Sequence, residues 1–194
     1  MDSALGLRGK DFVLLATDGH AEFSVLRLKD DEDKIITIDK NKLMAAGGPS
    51  ADRTMFCEYI QKNIHLYRLR NGVTLSVRAA ANFTRGELAY YLRRNPYQVN
   101  VLLAGHDEEG PSLYWMDYIA SMAKVSRGAH GYAAYFVMSI LDRHWKPDMT
   151  EEEAIEVAKL CFDELKRRFL ISQSSFVVKI VDKDGVRTLP RFAI

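Results

Sequence analysis

The sequence predicts an α+β fold, two stacked antiparallel sheets with a pair of helices on each outer face. Three observations carry this. Apolar runs of strand length and segments of helical period alternate in blocks, ordered strands, two helices, strands, two helices, strands. Polar turns such as Gly9-Lys10-Asp11 and Asp18-Gly19-His20 separate neighbouring strands closely enough for hairpins. The run from Tyr97 to Gly105 has few outward polar positions, so both of its faces should be covered. No linker or internal repeat divides the 194 residues, which are expected to form one domain over 1–194.

Five strands are expected first, at 3–8, 12–17, 21–28, 34–38 and 42–46. Gly47-Gly48-Pro49-Ser50 introduces a helix over about 50–70, whose Met55, Tyr59, Ile60, Ile64 and Tyr67 recur at helical spacing; Asn71-Gly72 ends it. Ser76 is the N-cap of a second helix to Arg94, stopped by Asn95-Pro96. Strands follow at 97–105, 112–117 and 122–126. A third helix is expected over about 131–145 after Gly128, broken by Pro147-Asp148. Thr150-Glu151-Glu152-Glu153 reads as a capping box opening a fourth helix to about 168. Strands 176–181 and 186–189, joined by Asp182-Lys183-Asp184-Gly185, close the chain.

Composition excludes several functions. A net charge of +1 gives no general field for nucleic acid or an anionic membrane. No apolar run approaches the roughly 20 residues of a membrane span, and Arg8, Lys10 and Asp11 interrupt any secretory signal. Cys57 and Cys161 lie far apart in helical segments and are expected as buried, reduced thiols. His65, His130 and His144 lack a second ligand at metal spacing, and the adjacent acids Asp30 to Asp33 form a solvated turn, so neither metal nor other cofactor is expected. Asn82-Phe83-Thr84 falls within a helix and is discounted as a glycosylation site.

The amino end has the skeleton of an amino-terminal-nucleophile hydrolase: a strand hairpin at residue three, Asp18 ending its second strand and Lys34 opening a later one. In such enzymes the free α-amine serves as base for the first side chain, tuned by a lysine and an aspartate. Met1, Asp2 and Ser3 offer no threonine. Pro96-Tyr97-Gln98-Val99-Asn100-Val101-Leu102 with Tyr114-Trp115-Met116-Asp117-Tyr118 resembles the central hairpin of a proteasome core-particle beta subunit. Gly128-Ala129-His130-Gly131-Tyr132, Leu141 to Thr150 and Val178 to Gly185 extend the likeness along the whole chain. The words Gly-Ala-His-Gly-Tyr and Lys146-Pro147-Asp148-Met149 resemble the non-catalytic paralogue at the fourth beta-ring position, which different nomenclatures number type-2 or type-4.

This resemblance implies a four-layer αββα sandwich of the Ntn-hydrolase type and a place in a barrel of stacked seven-membered rings that degrades ubiquitin-tagged proteins in cytoplasm and nucleus. It implies as partners the other beta subunits, an alpha ring and the opposite beta ring. Carried over residue by residue, the family's nucleophile falls on Asp2, its aspartate on Asp18 and its lysine on Lys34; a later Asp…Ser pair falls on Phe169 and Ser172. The site is therefore read as vestigial, keeping Asp18, Lys34 and Ser172. Asp18 and Lys34 are expected to pair, with Lys34 as a plain strand-edge charge the other reading; losing Lys34 should cost only the modest stability of an ordinary ion pair. The alternative function, an active hydrolase whose nucleophile such as Ser3 is exposed by processing, is disfavoured because Ser3 is out of register. Tyr132, Tyr135, Arg143, His144 and Trp145 are the expected anchors toward the opposite beta ring. Phe23, Val25, Leu26 and Leu28 are the expected apolar wall of an inhibitor-accessible pocket against the neighbour of chymotrypsin-like specificity.

Overall fold

A computed structural model describes residues 2–23, 26–169 and 173–193. One sheet is built from β1 (Ser3–Arg8), β2 (Phe12–Asp18), β10 (Arg127–Gly131), β11 (Ser175–Asp182) and β12 (Gly185–Thr188), in the order β10-β1-β2-β11-β12. The two-residue strand β13 (Phe192–Ala193) pairs with β11 beyond the end of β12. The other sheet runs in chain order through β5 (Ile35–Asp39), β6 (Lys42–Gly47), β7 (Asn100–Asp107), β8 (Gly110–Met116) and β9 (Met122–Val125). Every pairing is antiparallel.

Strand period then dictates three cores. Along β2, Val13 and Leu15 point between the sheets with Ile35, Leu43, Leu102 and Leu113. Phe12, Leu14 and Ala16 point the other way, onto α3 (Ala134–His144) and α4 (Glu151–Arg168). In the second sheet, Met44, Val101 and Leu103 face α1 (Ser50–Asn71) and α2 (Val77–Tyr91). Both faces of each sheet are covered, which is why these strands are apolar at nearly every position rather than at alternate ones. Phe162 and Phe176 stack at 4.0 Å within the α4 layer, and both cysteines are buried thiols.

Thr150 caps α4 as expected: its hydroxyl accepts from the Glu153 N–H, and the Glu153 carboxylate accepts from the Thr150 N–H at 3.1 Å. Several boundaries differ from the sequence expectation. The segment 21–28 is not one strand: β3 (Ala21–Phe23) turns back into β4 (Leu26–Lys29) as a separate hairpin. Residues 127–130, expected as a loop, and Gly131, expected to open the third helix, form β10. Its small residues leave room that a strand pattern does not advertise: a side chain on Gly128 would begin 3.2 Å from the Trp115 indole. The third helix accordingly starts later, at Ala134. Tyr97 and Gln98 do not join β7; Tyr97 packs on Phe56 and Tyr91, and the Gln98 N–H donates to Asp52. The second helix ends at Tyr91, three residues before the expected stop.

Candidate functional site

The β1–β2 pairing places the residues around Ser3 opposite the end of β2, so the Ser3 N–H donates to Asp18 Oδ1 at 2.7 Å. Asp18 Oδ2 accepts from the His20 N–H at 3.1 Å and from Lys34 Nζ at 2.7 Å. Lys34 arrives from the other sheet, one residue before β5, and its side chain is 2 % exposed. Its ammonium has a second partner, Asp2 Oδ1, at 2.6 Å. Asp2 Oδ2 accepts from the Gly48 N–H at 2.7 Å, and the Arg53 guanidinium stands 3.5 Å away. Arg53 also pairs with Glu32. The result is an unbroken chain of alternating charge: Glu32, Arg53, Asp2, Lys34, Asp18.

Two glycines shape this corner, and the first of them lets Asp2 sit so close. At Gly131, φ is +76°, and a Cβ there would lie 2.1 Å from the Asp2 carbonyl oxygen; Gly48, with φ +138°, would strike the Gln98 carbonyl.

Burial and pairing compete in this cluster. Burial pushes the Asp2 carboxyl up, but Lys34, the Gly48 N–H and Arg53 outweigh it, and the group ends below its ordinary value. For Asp18, whose side chain is fully enclosed, burial prevails over Lys34 and the pKa is raised. Burial alone would discharge Lys34, yet two carboxylates hold its ammonium charged and raise its pKa. Chemically the cluster is closed. Asp2 presents no hydroxyl or thiol, and the Gly48 N–H, which could stabilise a developing oxyanion, is already occupied. The Ser3 hydroxyl is buried with no hydrogen-bond partner among the described residues.

The structure brings Asp2, Asp18 and Lys34 together. Phe169 is a core side chain, edge-on to Phe136 at 5.6 Å. Ser172 lies outside the described residues. His130 stacks on Trp115, its Nε2 lies 3.0 Å from the Val101 carbonyl oxygen, and burial pushes its pKa down to about 4, so it is neutral. Tyr132 and Tyr135 are 59 % and 84 % exposed, and Arg143 and His144 are also exposed. Trp145 is different: its indole N–H donates to the Arg8 carbonyl at 2.8 Å, and the Arg127 guanidinium lies over its ring. Leu26 and Leu28 protrude on β4 at 61 % and 69 % exposure; Val25 and the Phe23 side chain lie outside the described residues.

Sequence inspection missed Arg53 and the binding role of Asp2. A signal for Arg53 was available, because it falls on the inward stripe of α1 with Phe56, Cys57, Ile60 and Ile64. A cation on such a stripe requires a buried partner.

The expectation of a modest ion pair at Lys34 is corrected by its burial. Removing a cation enclosed between two carboxylates strands both. Lys34→Met is expected to destabilise the chain by about 3–5 kcal/mol in urea titrations. Because the folded pKa of Lys34 is raised above 10.5, its contribution is complete below that pH and lost as pH climbs through the folded value. The alkaline fall in stability should therefore be shallower in Lys34→Met than in the native sequence, and equal slopes would contradict the assignment.

Compared with known proteins, residues 2–181 match the sequence model of the proteasome subunit family. The chain is 54 % identical to proteasome subunit beta type-2-B of Arabidopsis thaliana over 188 residues, 96 % of this chain and 94 % of the relative. It is 49 % identical to proteasome subunit beta type-2 of Oryza sativa, covering 100 % and 92 %. Identity to proteasome subunit beta type-4 of Saccharomyces cerevisiae is 43 %, covering 99 % and 98 %. With a sandwich of two antiparallel sheets between helix pairs and matches of this extent, the chain belongs to the proteasome subunit family, among its beta subunits.

Proposed function

We infer that this chain is a non-catalytic structural subunit of the proteasome core, occupying the fourth position of the seven-membered beta ring and working in ubiquitin-dependent protein degradation in cytoplasm and nucleus. One observation carries the non-catalytic assignment. The residue at the nucleophile position is a carboxylate, Asp2, fixed between Lys34 Nζ at 2.6 Å and the Gly48 N–H at 2.7 Å. Electrostatic support for a hydroxyl nucleophile has been turned inward to hold an anion of the chain itself. Assembled particles treated with a covalent threonine-directed inhibitor should carry label on other beta subunits and none on this one. A labelled peptide containing residues 1–8 would refute the assignment.

The helix pairs face opposite ways, and in this reading α3 and α4 meet the opposite beta ring while α1 and α2 meet the alpha ring. The highly exposed Tyr132 and Tyr135, with Arg143 and His144, are the contact residues, since aromatic and arginine side chains concentrate in interface cores. Trp145, engaged with Arg8 and Arg127 of its own chain, positions the end of α3 behind them. Tyr135→Ala should slow the joining of half-particles on native gels without shifting the thermal midpoint of the free chain. Unchanged joining would remove Tyr135 from the interface.

The β3–β4 hairpin supports the remaining assignment, an inhibitor-accessible pocket against the neighbour of chymotrypsin-like specificity. Leu26 and Leu28 expose apolar surface on a strand of the separate two-stranded β3–β4 sheet. Leu28→Ser and Phe23→Leu are expected to weaken cleft-binding inhibitors several-fold while small-peptide turnover stays constant. Equal inhibitor potency in both variants would exclude the pocket.

A further inference from the structure

Of the asparagines in this sequence one alone precedes a glycine, Asn71-Gly72 at the end of α1. An asparagine amide is electrophilic at Cγ, and the backbone nitrogen of the next residue is the nucleophile placed to reach it. The next side chain ordinarily screens that nitrogen. Asn41, Asn63, Asn82 and Asn100 precede Lys42, Ile64, Phe83 and Val101, and Asn95 precedes Pro96, which has no N–H to give up. Gly72 screens nothing. Its φ of +67° accounts for the glycine, and a Cβ built on it would meet no atom within 4 Å, so the corner is open to water. Asn71 is itself exposed. Asp18-Gly19 and Asp184-Gly185 present carboxylates, whose charge repels a nucleophile, and Asp18 is enclosed besides.

The last turn of α1 holds both reacting groups. The Gly72 N–H donates to the Arg68 carbonyl at 2.8 Å, and Asn71 Nδ2 donates to the Tyr67 carbonyl at 2.9 Å. The first bond keeps the proton on the nucleophile. The second turns the side-chain amide back along the helix, away from Gly72. Fraying of this one turn breaks both, and chain opening costs least at such ends, where backbone hydrogen bonds are exposed.

We propose that Asn71 is a self-modifying site, converted by water to aspartate and isoaspartate whenever the last turn of α1 opens. The Gly72 nitrogen gives its proton to hydroxide and attacks Asn71 Cγ. The N–Cγ bond forms, the Cγ–Nδ2 bond breaks, and Nδ2 takes a proton from water and leaves as ammonia. Water then opens the resulting succinimide at one carbonyl to give aspartate or at the other to give isoaspartate, so one water is consumed for each ammonia released. The new carboxylate stands on the rim of the α1–α2 groove, which Asn71 lines beside Arg70. It also stands at the helix end where the dipole disfavours an anion, and isoaspartate adds a methylene to the main chain there. Each product therefore favours the opened turn that made it, and the modification records the time that turn has spent open.

Incubating the full chain at mildly alkaline pH and following the peptide that contains Asn71 by mass spectrometry tests this. The expected result is the mass increase of an amide turned to an acid, confined to that peptide and resolved chromatographically into two products. Conversion should be at least about tenfold faster in denaturing urea than in the folded chain, because unfolding removes the gate. Arg68→Gly, an exposed change that weakens the last turn while keeping its carbonyl, should speed conversion in the folded chain about fivefold. Asn71→Gln should abolish the product and leave the thermal midpoint unchanged. No conversion at Asn71 in the folded chain, the same mass increase in Asn71→Gln, equal rates with and without urea, or an unaltered rate in Arg68→Gly would each overturn the proposal.

Discussion

A buried ammonium is the constraint around which the amino-terminal half of this fold is organised. Lys34 has almost no contact with solvent, and an unpaired charge at such a depth would cost several kcal/mol. Its two carboxylate partners come from different places, Asp2 ahead of β1 and Asp18 at the end of β2, while Lys34 itself precedes the first strand of the other sheet. Matching one charge therefore fixes the relative position of three segments and both sheets. The second oxygen of Asp2 extends the tie to the Gly48 N–H at the entrance to α1, and Arg53 carries it into the helix. The cluster thereby staples the amino terminus to both sheets and to α1.

The layers were legible because their causes are local and repetitive. Strand-length apolar runs, helical stripes, the Thr150 capping box and the Asp182–Gly185 turn all act through near neighbours. What escaped detection depends on distant partners. β10 is made of Arg127-Gly128-Ala129-His130-Gly131, residues of weak strand preference whose place is set by pairing with β1 and by the Trp115 ring above Gly128. The β3–β4 hairpin escaped because a short apolar stretch has the same pattern straight or folded back. At the site, Asp18 and Lys34 were legible by their position along the chain, but the capture of Asp2 was not: nothing in one dimension shows that the Gly48 N–H and Arg53 converge on it.

Charge is partitioned as deliberately as apolar surface. The acids of the first turn of α4 complement its helix dipole, and those at Glu32 and Asp33 neutralise Arg53 and Lys179. On the outer α1–α2 layer, by contrast, Arg68, Arg70 and Arg78 form no ion pair among the described residues. The interior is thus electrically closed while one outer layer is left open, a division expected of a chain whose surfaces are completed by other chains.

The place of β11 beside β2 has a consequence for biosynthesis. β11 pairs with β2 along the whole of Phe12–Asp18, yet it is made of residues 175–182. Until the ribosome has supplied them, the far edge of β2 is an open ladder of backbone donors and acceptors flanked by Val13, Leu14 and Leu15. At roughly 5–20 residues per second, that edge waits on the order of ten to thirty seconds for its partner. Over that interval the nascent chain is a template for foreign strands, and it is the last quarter of the polypeptide that ends the hazard.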